Sequence, residues 1–109
     1  MKKFNVILDQ AAEDDLFEIY TYIALNNSEE RADMIFKSLR DTCYLLSSQP
    51  QRGHIPPELL EIGRVEFKEI HCKPYRIFYS IEKSTVQIHC ILDGRRDIQS
   101  ILQERVLRD

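Results

Sequence analysis

The sequence predicts an α+β fold, with a helical hairpin packed on a small, mainly antiparallel sheet in the order β-α-α-β-β-β-α. Three observations carry this. Two segments with helical apolar spacing follow one another, separated only by Asn26-Asn27-Ser28. Three strand-like runs come later, with short turns between them. A stretch punctuated by Pro and Gly, from Ser47 to Gly63, divides the two halves. Segregated helices and hairpin-linked strands indicate α+β rather than alternating βαβ units.

Each element has its own local reason. Phe4-Asn5-Val6-Ile7-Leu8 is apolar and partly β-branched, which predicts a first strand. Asp9 suits a helix N-cap, and Glu13, Asp14 and Asp15 place negative charge where the helix dipole favours it. Leu16, Ile19, Tyr20 and Ile23 then form one apolar helical face. Asn27 with Glu30 resembles a capping box, and Ser28 is an equally good cap. The second helix carries Ala32, Ile35, Phe36, Leu39, Cys43 and Leu46 on one face, and the short link makes the pair antiparallel. In the loop that follows, Glu58-Leu59-Leu60-Glu61 adds one short turn. Strands are expected over Val65–Ile70, Tyr75–Ile81 and Thr85–Leu92, with turns at Lys73-Pro74 and Glu82-Lys83-Ser84. Asp93-Gly94 ends the last strand, and Asp97 caps a closing helix that turns Ile98, Ile101 and Leu102 inward.

A chain of 109 residues suits one domain spanning 1–109, and 43% hydrophobic residues suffice for its core. No apolar run approaches the roughly 18–20 residues of a membrane span. The basic start at Met1-Lys2-Lys3 leads into an apolar stretch that stops at Asp9, too short for an export signal. The expected location is therefore cytoplasmic. Cys43, Cys72 and Cys90 form no Cys-x-x-Cys pair, which fits reduced thiols. Fifteen basic against eighteen acidic side chains give −3 overall. Residues 1–62 hold six basic and eleven acidic groups, and residues 63–109 nine and seven. A general nucleic-acid binder is clearly basic, so any polyanion contact here is local and lies in the second half.

Strand alternation assigns faces. Tyr75, Ile77, Tyr79 and Ile81, with Val86, Ile88, Cys90 and Leu92, make one apolar layer for the helical hairpin. The opposite face receives Arg76, Phe78, Ser80, Gln87, His89 and Ile91, with Lys68 and Glu66 joining from the preceding strand. Arg95 and Arg96 leave from the sheet's end after Gly94. An open face with several cations suits a partner segment or a phosphate, which makes Lys68, Arg76, Phe78, His89, Arg95 and Arg96 the candidate binding residues. The plainer reading is ion pairing, of Arg76 with Glu66 or Glu69 and of Arg96 with Asp97 or Asp93. No metal or cofactor is expected. In His71-Cys72 and His89-Cys90, adjacent strand residues point to opposite faces. No serine–histidine–acid set and no Gly-rich phosphate loop stands out.

Pro74-Tyr75-Arg76-Ile77-Phe78-Tyr79, a hairpin, then Ile91-Leu92-Asp93-Gly94-Arg95-Arg96-Asp97 and a short closing helix resemble the RelE/ParE toxin superfamily. Ala12-x-x-Asp15-Leu16-x-x-Ile19-x-x-Tyr22-Ile23 looks like that family's first helix, and Arg52-Gly53 fits its loop. The resemblance covers nearly the whole chain. It implies the toxin of a type II toxin–antitoxin pair, with a cognate antitoxin whose C-terminal segment wraps it, and it allows a homodimer or a toxin–antitoxin hetero-oligomer. RelE-like members cleave mRNA on the ribosome, whereas ParE-like members poison DNA gyrase. In RelE-like enzymes lysines precede the Tyr-Arg strand; the matching positions here are Phe67 and Glu69. The terminal His-Tyr pair of some related nucleases is replaced by Val106-Leu107-Arg108-Asp109. Cations alone supply no general base. The resemblance therefore favours a ParE-like gyrase inhibitor, which acts by occupying a surface and needs no catalytic set. The alternatives are a RelE-like mRNA endonuclease using Arg76, Arg95 and His89 or Glu69, and a non-toxic binding relative.

Overall fold

Strand β1 (Asn5–Leu8) opens the fold and lies parallel beside β4 (Thr85–Asp93), from Asn5 opposite Thr85 to Leu8 opposite Ile88. The computed structural model describes residues 3–107; Met1-Lys2, part of the export-signal reading, and Arg108-Asp109, part of the chain-end reading, lie outside them. Helices α1 (Gln10–Asn26) and α2 (Glu29–Leu45) form the hairpin, and the short helix α3 (Pro57–Leu60) stands in the loop. Strands β2 (Phe67–Cys72) and β3 (Tyr75–Glu82) pair antiparallel, as do β3 and β4, and α4 (Ile98–Arg105) closes the chain. The sheet order is β1-β4-β3-β2, a mixed sheet dominated by antiparallel pairs. The fold is thus the β-α-α-β-β-β-α arrangement with one extra helical turn.

Capping follows local chemistry at two of three sites. Ser28 Oγ accepts from the Arg31 N–H at 3.0 Å, and Asp97 Oδ1 from the Ser100 N–H at 3.2 Å. Asp9 makes no side-chain cap to α1, because Gln87 and His89 take both of its oxygens. Strand β2 begins two residues later than expected. Its register with β3 runs to Cys72 opposite Tyr75, leaving Val65 exposed before the strand.

The alternation rule fails at one place, with large consequences. Phe78 lies opposite Cys90 while Tyr79 lies opposite Ile88, so His89 is an extra residue in β4. This β-bulge reverses the faces of everything beyond it. Ile91, expected on the open face, packs with Ile77, Tyr79, Val86 and Ile88 under the hairpin, against Leu39, Cys43 and Leu46. Cys90 and Leu92, expected in that layer, turn to the other side. There they join Phe67, Phe78, Leu59, Ile98 and Leu102 in a second core. The face read as open is therefore covered by α3 and α4, and Phe78 is fully buried. Lys68 does not share this face either. It lies opposite Tyr79, on the hairpin side, whereas Phe67, Glu69 and His71 stand beside Ser80, Phe78 and Arg76.

Candidate functional site

Arg76 projects from β3 toward the second core but is not a free cation. Its Nη1 and Nη2 donate to Glu58 at 2.9 and 2.8 Å, and its Nε and Nη2 donate to Glu69 at 2.7 and 2.8 Å. The guanidinium also lies 5.0 Å from the centre of the Phe78 ring. Glu69 is 1% exposed, and two carboxylates surround one guanidinium, leaving a net negative charge. The bonds to Glu58 and then Glu69 raise the Arg76 pKa, and the Arg76 bond holds the Glu58 carboxyl below its ordinary range. A site built to stabilise a phosphorane needs uncancelled positive charge. Here the one positive charge is more than cancelled by Glu58 and Glu69. The pairing partner Glu69 was among those anticipated; Glu58 was not, because α3 brings it from 18 residues away.

His89 sits in the bulge between two oxygen partners. Its Nδ1 lies 2.9 Å from Asp9 Oδ2, and its Nε2 lies 2.7 Å from Ser80 Oγ. This is a serine–histidine–acid chain, and it corrects the expectation that none exists. Its members come from β3, the β4 bulge and the residue after β1, and Asp9 lies 80 positions from His89, a separation that no local motif reveals. Ser80 stands inside β3 with ladder partners on both sides, Phe67 and Gln87, so its strand's N–H groups are committed to the sheet. The Phe67 ring packs edge-on at 5.5 Å from His89. The network fixes the bulge and the start of α1, which follows directly from Asp9.

A second buried pair completes the bulge. Beyond Leu8 and Ile88, β4 has no strand on its outer side among the described residues. Asp15 of α1 accepts there from the Ile91 N–H at 2.9 Å, and Arg105 of α4 donates to the His89 carbonyl at 3.0 Å. The two side chains bond each other at 3.1 and 3.0 Å. Backbone groups left without a ladder partner are thereby satisfied by an ion pair. The acidic run at residues 13–15 had the look of a simple helix start; Asp15 is instead the link between α1, β4 and α4. Burial pushes the Cys43 and Cys90 thiols up to about 12, so both are inert core groups.

The accessible feature at this end of the molecule is a groove of about 650 Å³. Ile19, Tyr22 and Ile23 of α1 line one side, and Tyr75 and Ile91 of the sheet the other. Arg31, Arg95 and Arg96 stand on its rim with Asp93 and Glu18. Arg95 is exposed and donates to Asp93 Oδ1 at 2.9 Å, holding the Asp93 carboxyl below its usual range. Asp93 thus pairs with Arg95, where Arg96 was the partner considered. The candidate residues therefore divide. Arg95 and Arg96 face the groove, whereas Arg76, Phe78 and His89 are built into the second core and its edge, and Lys68 lies apart from both.

A family model described as ParE toxin of type II toxin-antitoxin system, parDE, matches residues 6–98. The chain belongs to this ParE toxin family. Its fold is similar to that of the chromosomal ParDE toxin–antitoxin system from P. aeruginosa, with a TM-score of 0.68 and 16% identity, covering 84% of this chain and 96% of that one. It is also similar to the RelBE2 toxin–antitoxin complex from Mycobacterium tuberculosis, with a TM-score of 0.62 and 18% identity, covering 85% and 93%. No curated protein sequence matches it. Among the described residues of this ParE-family chain, no helix is long and apolar enough to cross a membrane.

Proposed function

We propose that this ParE-family toxin acts by occupying a macromolecular surface, that DNA gyrase is its target, and that a cognate antitoxin neutralises it. The observation that carries this reading is the state of Arg76. Its charge is spent on Glu58 and Glu69, and the two positions where related nucleases place lysines hold a buried Phe67 and a buried Glu69. A recognition surface needs no general base and no free transition-state cation, whereas RNA cleavage needs both.

The groove between α1 and the sheet supports the partner reading. It has an apolar floor and a rim carrying three arginines. An amphipathic segment with acidic groups beside its apolar face matches it in chemistry. Such a segment from an antitoxin would cover Arg95 and Arg96 and so mask the residues nearest the exposed end of the sheet.

Purified toxin added to DNA gyrase tests the reading. The expected result is lost supercoiling with accumulation of cleaved DNA–gyrase complex, relieved by the protein encoded next to the toxin. Intact supercoiling together with toxin-dependent cuts in translated mRNA, mapped by primer extension, would replace it with the endonuclease reading.

A further inference from the structure

Away from the groove, the outer edge of β2 gathers three metal-ligating side chains. His54 lies on the loop before α3 and forms an isolated antiparallel bridge with Glu69, with backbone bonds of 3.1 and 2.7 Å between them. Directly bridged residues place their side chains on the same face. His71 is two residues along the strand from Glu69, so it shares that face too. The ligand atoms of His54, Glu69 and His71 all lie within 4.8 Å of one another. Glu69 Oε1 is 2.9 Å from His71 Nε2, and Oε2 is 3.4 Å from His54 Nε2.

We propose that His54, Glu69 and His71 form a binding site for a divalent late transition-metal ion, Zn²⁺ foremost. Tetrahedral zinc with bonds of roughly 2.0–2.1 Å needs ligand atoms about 3.3 Å apart; the 2.9 and 3.4 Å separations, each to its own Glu69 oxygen, lie on either side of that value. Two imidazoles and one carboxylate are a ligand set that zinc accepts while keeping a position open to water. The two histidine side chains are 60% and 46% exposed, so an ion can enter from solvent.

The site is held in place by structure that the rest of the fold supplies. Gly53 lets the loop approach β2 closely: a Cβ there would sit 2.5 Å from the Glu69 carbonyl oxygen and 2.6 Å from the Tyr79 hydroxyl. That hydroxyl accepts from the Gly53 N–H at 3.0 Å and donates to the Pro50 carbonyl at 2.8 Å, pinning the loop on both sides of Arg52. Arg52 lines the same pocket as His54, Glu69 and His71 and bonds Gln49; Arg76 is the cation bonded to Glu69 itself, and its charge opposes a metal. Glu58 and Glu69 together outweigh it by one negative charge. Its bonds to Glu69 also orient the carboxylate as an outer-shell donor does in metal sites. An ion here would clamp the loop carrying His54 to β2.

Isothermal titration of untagged protein with Zn²⁺, repeated with Co²⁺ and followed by visible absorption, tests the site. The expected result is one ion per chain and a low-symmetry cobalt spectrum. His54→Ala and His71→Ala should each weaken binding about tenfold or more. Zn²⁺ should raise the melting temperature of the wild type and not of either variant. Both histidines are exposed, so the variants keep the fold, and circular dichroism verifies it. Absence of binding to the wild type overturns the proposal, as does binding of equal strength in both variants.

Discussion

Glu58 and Arg76 illustrate how a single side-chain contact changes what a residue can do. On a strand, Arg76 is a candidate anion ligand; with Glu58 folded over it from α3, it becomes a structural cation. The paired geometry gives a pH signature. Glu58 has an ordinary value of 4.5 and is lowered by the bond from Arg76. A depressed carboxylate contributes stability that is complete above its unfolded value and lost as pH falls through its folded value. Glu58→Gln is therefore expected to cost about 1.5 kcal/mol near neutral pH, the worth of a bond between charged groups. Urea denaturation between pH 7 and 3 should show the gap between wild type and variant closing below pH 4.5. A gap that stays constant over that range would mean that the ion pair contributes nothing. The candidate arginines were legible in sequence because their charge and strand position are local properties. Glu58 was not, because its role depends on where α3 docks.

The β4 bulge and α4 act together. A strict alternation of Val86, Ile88, Cys90 and Leu92 assigns one face to all four, and the structure splits them at His89. A bulge is set by partner geometry on β3 and by groups that rescue the unpaired backbone, here Asp15 and Arg105. Neither is visible in a two-residue period. Removing Asp15 strands the Ile91 N–H and leaves the Arg105 charge unpaired, with the His89 carbonyl as its remaining acceptor. Asp15→Ala should cost about 3 kcal/mol, as breaking a buried pair does. Hydrogen exchange should reveal early opening of α4, whose apolar side is already short. Asp15→Leu combined with Arg105→Leu should recover part of the loss, since no buried charge then remains unpaired. If α4 retains its protection in Asp15→Ala, the ion pair does not hold the helix.

At the scale of the molecule, the sheet separates two layers with different roles. The hairpin side carries the main core and, at its edge, the groove with Arg95 and Arg96. The other side carries the second core, closed by α3 and α4, with the His54–Glu69–His71 cluster at its rim. Charge reversal on the groove rim, Arg95→Glu with Arg96→Glu, should weaken antitoxin binding at least tenfold while leaving the melting temperature nearly unchanged, because both side chains are exposed. Binding measured by surface plasmon resonance beside a thermal melt separates the two effects. Unchanged affinity would place the partner elsewhere.

The sequence by itself determined the order of elements, the amphipathic helical hairpin, the β2–β3–β4 hairpins and the likeness to the RelE/ParE toxins. These rest on periodicity, turn residues and short motifs, all of which act between neighbours in the chain. Tertiary structure alone decided that α3 and α4 cover the sheet face read as open, that the Arg76 charge is cancelled, that Asp15 joins Arg105, and that His54 reaches Glu69. Each of those depends on one inserted residue in β4 or on a contact across 15 or more positions, where burial and pairing rather than local preference choose the partner.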